Sequence, residues 1–183
     1  MAVPRMLRLR QNFPRPRVAG IPRAVAEALA GADLKIKRGD TVAVGAGSRG
    51  IANIGIIVGA TVRWLKDLGA RPFVFPAMGS HGGGTPEGQL SVLEHYGITE
   101  STMGCPIRAT MEVVQVGEAL GLPVWLDRHA AEADWIGLVN RVKPHTDFKG
   151  AIESGLFKMM TIGLGKHKGA IQYHRANIHH GYE

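Results

Sequence analysis

Residues 41–77 state one pattern twice. The run TVAVGAG, Thr41 to Gly47, is small and β-branched, closes on glycine, and leads into a long apolar stretch from Ile51 to Leu68. That stretch carries its charged residues toward its end (Arg63, Lys66, Asp67) and is stopped by Gly69. A second apolar run, Pro72 to Ala77, opens into a glycine loop, Gly79 to Gly84, and then into another helical segment. Parallel strands cannot be joined by a tight turn, and a helix is the usual crossover between them. Strand, helix, strand, helix therefore predicts a Rossmann-like α/β fold, a mostly parallel sheet flanked by helices.

The remaining elements follow from local signals. Pro22 suits a first helical turn and starts a helix over Ile21 to Ala30. Thr85, Pro86 and Glu87 read as N-cap, first-turn proline and dipole-friendly acid, opening a helix that runs to about Tyr96. Strands are expected at Glu112 to Val116, Pro123 to Leu126 and Trp135 to Asn140, with a short helix over Arg128 to Ala133. Trp64, Trp125, Trp135 and most methionines read as core. No repeat is visible, and residues 1–38 read as an N-terminal extension packing on the domain formed by residues 39–183.

Composition narrows the function classes. One cysteine, Cys105, excludes an internal disulfide framework and a cysteine-based zinc site, and fits a reducing compartment. No apolar run is long enough to span a membrane, and no apolar segment follows the basic N-terminus as a secretory signal requires. The expectation is a cytoplasmic protein without a membrane partner. The net charge of +7 is uneven: residues 1–40 carry nine basic and three acidic groups, 41–140 six and nine, and 141–183 seven and three. Nucleic-acid binding calls for a basic stripe interleaved with aromatics. Here aromatics are few and the middle is acidic, so a basic site for a small anion is expected and a nucleic-acid partner is not.

Each chemistry-bearing motif follows a predicted strand, and in open α/β sheets ligands bind beyond the carboxyl ends of the strands. Gly45 to Gly50 has the form G-x-G-x-x-G between a strand and a helix, where backbone amides favour phosphate. Gly47, Ser48 and Arg49 are the candidate anion ligands. The next strand ends without the acid that a classical NAD site needs. His81 stands among glycines before a helix, a loop setting that suits a general base. Lys143, Pro144 and His145 end the strand that runs through Trp135 to Asn140, with Asp147 placed to orient His145.

Downstream, Lys158 lies between large apolar residues. Burial would lower its pKa and make its amine nucleophilic. The alternative, favoured by residue type alone, is an aliphatic stem in the core with the ammonium outside. His81, His145 and His174 are candidates to converge on a metal that accepts imidazole.

These five pieces in this order (Ser48-Arg49-Gly50, Gly79-Ser80-His81, Lys143-Pro144-His145, Lys158, His174) resemble the nickel-dependent lactate racemase family, specifically its N-terminal domain. The resemblance runs from about Gly39 to the C-terminus. It implies a nickel pincer nucleotide tethered to Lys158, with Lys149 the alternative tether, and His174 as the nickel ligand. His81 and His145 would be the bases on opposite faces of the substrate carbon, and Arg49 would hold a carboxylate or the cofactor phosphate. The implied activity is that of an isomerase. One histidine takes the 2-hydroxyl proton as hydride moves to the cofactor, and return of hydride to the other face inverts the carbon. Ala46 and Gly50 stand where the family carries an aspartate and a proline, which points to a small-molecule 2-hydroxy acid substrate other than lactate. Family members have a second α/β domain facing the first, so the resemblance implies a truncated N-terminal half that is inactive alone. Two other readings stay open: a non-catalytic nucleotide- or phosphate-binding module, and a simple histidine-metal enzyme. A homo-oligomer is compatible with each.

Overall fold

The computed structural model describes residues 6–48, 50–144, 150 and 153–181, without the side chains of residues 179 and 180. Elements in chain order are α1 (Ile21–Ala30), β1 (Thr41–Ala46), α2 (Ile54–Asp67), β2 (Arg71–Pro76), a 3-10 turn (His81–Gly84), α3 (Pro86–His95) and α4 (Glu100–Met103). There follow β3 (Val113–Ala119), β4 (Leu122–Asp127), α5 (Arg128–Ala131), β5 (Trp135–Val139), α6 (Leu156–Lys158), a π turn (Met159–Gly163) and α7 (Lys166–His180). Three strands form a parallel sheet in the order β2-β1-β5, flanked by helices. The fold is mixed α/β and compatible with a Rossmann-like arrangement.

β1 is the central strand, and its side chains alternate between the two faces as strand geometry dictates. Val42, Val44 and Ala46 enter one core with Ile54, Val58, Val62 and Leu65 of α2, together with Leu93, Ile98 and Met103. The α2 residues recur at helical spacing and form one buried stripe. Ala43 faces the other core with Phe73, Phe75, Ala77, Ala130 and Leu164. Helix α2 begins later than Ile51 because Asn53 adopts a left-handed conformation at φ 59°. Helix α1 lies against α2.

Local capping holds as the sequence predicts. Thr85 Oγ1 accepts from the amide of Gly88 at 3.1 Å and starts α3. Asp134 accepts from both the amide and the hydroxyl of Thr41 at 2.8 and 2.7 Å, which ties the foot of β5 to the foot of β1. Those two bonds hold the Asp134 carboxyl below its ordinary pKa, the hydroxyl contributing most. Trp135 is partly buried against the α2-side core and donates from Nε1 to Asp40 at 2.8 Å.

Two elements differ from expectation. The strands at 113–119 and 122–127 do not join the parallel sheet but pair with each other as an antiparallel hairpin. Their turn is Leu120-Gly121, both at positive φ (51° and 71°). This is the conformation that two-residue hairpin turns require, and a leucine in its first position hides it from sequence reading. Helix α4 was also not expected. Thr99 and Thr102 start it with a reciprocal capping box. Among the described residues, no helix is long and apolar enough to cross a membrane.

Candidate functional site

The parallel sheet brings the carboxyl ends of β1, β2 and β5 to one rim, as the strand alternation requires. The amide of Gly47 donates to the carbonyl of Val139 at 3.0 Å, and that of Ala77 to Ala46 at 3.1 Å. Arg141 Nη1 donates across to the carbonyl of Gly50 at 3.3 Å. Three loops that are far apart in sequence are thus stitched side by side.

On this rim Ser48 and His81 meet. The Ser48 hydroxyl and His81 Nδ1 form a short hydrogen bond, both residues being half-buried. The Tyr96 hydroxyl donates to the carbonyl of Ser48 at 2.6 Å and fixes the β1 loop from behind. A partner on Nδ1 sets the imidazole's orientation and tautomer. Beneath His81, Gly82 and Gly83 turn the chain at φ 63° and 70°. Asn140 Oδ1, at the end of β5, is buried without a hydrogen-bond partner among the described residues.

The glycines serve packing as much as access. A Cβ on Gly47 would stand 3.1 Å from Ile51, 3.3 Å from Asn140 and 3.4 Å from Met159. One on Gly79 would stand 2.9 Å from Ile162 and 3.3 Å from Ala170. Both are buried, and the Gly47 amide is already engaged. What their missing side chains admit is the π turn and α7, which descend onto the rim. His167 comes with them, its Nδ1 3.5 Å from where a Cβ of Gly84 would be.

Lys158 sits at the end of α6 and is exposed, as are its neighbours Leu156 and Phe157. The desolvation considered for Lys158 belongs instead to Lys166, which has no solvent exposure at all. Lys166 Nζ donates to the carbonyl of Pro76 at 2.7 Å and to Gln89 Oε1 at 2.5 Å, and lies 3.8 Å from Asp127 Oδ2. Gln89 in turn donates to the carbonyls of Met78 (3.2 Å) and Gly79 (2.9 Å). Burial lowers the Lys166 pKa to about 8 against the opposing pull of Asp127. Burial likewise raises that of Asp127, with Lys166 opposing. Sequence reasoning missed this cluster, although Gly165 and Gly169 marked the place. A Cβ on either would press on the carbonyl of Thr161, at 2.5 and 2.9 Å.

His174 is exposed on α7, with the Tyr173 ring edge-on at 5.9 Å. Arg49, His145, Asp147 and Lys149 lie outside the described residues. Among the described residues no three histidine, cysteine or acidic side chains gather as a metal site. His174 on α7 and Lys158 on α6 are both solvent-exposed, with the π turn between their helices. No protein-family profile, curated protein or solved structure matches this chain.

Proposed function

We propose that the chain is the cofactor-holding domain of a racemase or epimerase of a 2-hydroxy acid, an isomerase working with a nickel pincer nucleotide tethered to Lys158. The observation that carries this reading is the meeting of Ser48 and His81 on a strand-end rim onto which the Lys158–His174 segment packs. When bound, that group supplies a reversible hydride acceptor. Lys158, exposed at the end of α6, would take the tether, and His174 would offer an imidazole nitrogen to nickel.

His81 is the base for the 2-hydroxyl. Ser48 at Nδ1 holds the ring so that its other nitrogen exchanges the proton with the substrate oxygen. Inversion needs a second acid–base group on the opposite face, a role that falls to His145. Arg49, beside Ser48 in sequence, is the cation for the substrate carboxylate or the cofactor phosphate. In this reading the rim is the cofactor-facing side of the site.

The test is intact mass, peptide mapping and metal analysis of the full chain purified from its native host. The expected result is a mass excess on Lys158 with nickel near one per chain. An unmodified mass without nickel overturns the reading.

A further inference from the structure

The buried cluster at the start of α7 ties together parts of the molecule that the proposed chemistry needs in register. Lys166 reaches the last residue of β2 through Pro76, and through Gln89 it reaches the carbonyls of Met78 and Gly79 at the base of the His81 loop. On its other side is Asp127, the end of the β3–β4 hairpin, whose amide donates to Leu164 at 2.7 Å and whose Oδ1 caps α5 through Ala130 at 3.1 Å. Lys166 itself opens α7 from a left-handed conformation, φ 56°, which a side chain adopts only when its surroundings enforce it. The strained backbone and the sealed ammonium occur at one residue. A lysine placed only to cover apolar surface would extend its ammonium to water; this one is turned inward to three oxygens, those of Pro76, Gln89 and Asp127.

We propose that Lys166 is a positioning residue, which fixes α7 with its His167 and His174 against the His81 loop by joining β2, Gln89 and Asp127 at the helix's first turn. The consequence for His81 is geometric and stands by itself. The consequence for His174 rests on the function proposed above. Loss of the ammonium frees Gln89, the carbonyls of Met78 and Gly79 lose a fixed partner, and the His81 ring loses its constant setting against Ser48.

The test compares the full chain with Lys166→Met and with the double variant Asp127→Asn/Lys166→Met, which removes both buried charges at similar volume. Side-chain 15N NMR reads the tautomer of His81, with Ser48→Ala as the reference for a released ring. Amide hydrogen exchange reads residues 167–173. In a double variant that folds and melts cooperatively, the His81 tautomer ratio is expected to move toward the Ser48→Ala value. Exchange in the first turns of α7 should quicken roughly ten-fold or more while α2 is unchanged. A folded double variant with the wild-type tautomer ratio and wild-type exchange in α7 overturns the proposal. Should neither Lys166 variant fold, Gln89→Leu decides. It leaves Lys166 with Pro76 and Asp127 but cuts the link to Met78 and Gly79, so an unmoved His81 signal overturns the proposal there.

A wild-type chain without adduct or nickel would defeat the functional reading alone. The NMR and exchange results would still decide the role of Lys166.

Discussion

Lys166 Nζ stands 3.8 Å from Asp127 Oδ2, and neither side chain reaches solvent. Taking two charges out of water is costly, and their attraction offsets the cost only while both are present. Lys166→Ala should therefore destabilise the fold by about 3–5 kcal/mol, since it leaves Asp127 sealed and unpaired. Asp127→Asn/Lys166→Met should cost far less. Urea unfolding of the three proteins checks both expectations.

The same pair predicts how stability follows pH. The folded-state pKa of Lys166 is about 8, below its ordinary 10.5. Between those values the unfolded chain holds a proton that the native state has lost, so this group makes stability rise with pH across that window. Cys105, whose pKa is raised chiefly by burial, works in the opposite direction above its ordinary 9.0. The difference between wild type and Lys166→Met isolates the lysine: its upward slope should vanish in the variant. Asp127, raised by burial, makes stability fall as pH rises from 3.8 through its folded value.

Gly82 and Gly83 share a left-handed backbone but differ in their surroundings. Gly83 has open space where a Cβ would stand, whereas at Gly82 a Cβ would collide with the backbone of Gly88. Gly83→Ala should cost about 1–2 kcal/mol, the left-handed penalty alone. Gly82→Ala should cost clearly more and displace His81, which thermal melts and the His81 NMR signal will register.

If the proposed function holds, Ser48 and His81 should separate in kinetics of the active enzyme. His81→Gln removes the base and should lower kcat by roughly 10²–10⁴-fold. Ser48→Ala keeps the base but removes its partner at Nδ1, so a smaller loss is expected. Tyr96→Phe, which frees the carbonyl of Ser48, should destabilise by about 1 kcal/mol.

Lys158 and His174 are both exposed, so Lys158→Ala and His174→Ala should leave stability within about 0.5 kcal/mol. Lys158→Ala should abolish the mass adduct. His174→Ala should retain the adduct but lose nickel. Intact mass and metal analysis of each variant read the two outcomes apart.

Part of this molecule was legible residue by residue. β1, α2, β2 and α3 follow from apolar periodicity and from Thr85 and Pro86, because a strand's alternation and a helix cap are set by residues within a few positions of one another. The strand-end placement of Ser48 and His81 follows as well, since parallel strands share one carboxyl edge. The hairpin Val113–Asp127 was legible only as two strands, because which edge a strand joins depends on a turn whose leucine carries no common signal.

The sequence by itself determined the alternating α/β order, the glycine-loop rim and the place of His81 upon it. Tertiary structure alone decided which lysine is buried. Lys158 and Lys166 both lie in apolar, glycine-flanked runs, but only Lys166 is enclosed by Pro76, Gln89 and Asp127, residues 90, 77 and 39 positions away. Desolvation is a property of what surrounds a group in space, and no local pattern of neighbours in the chain encodes it.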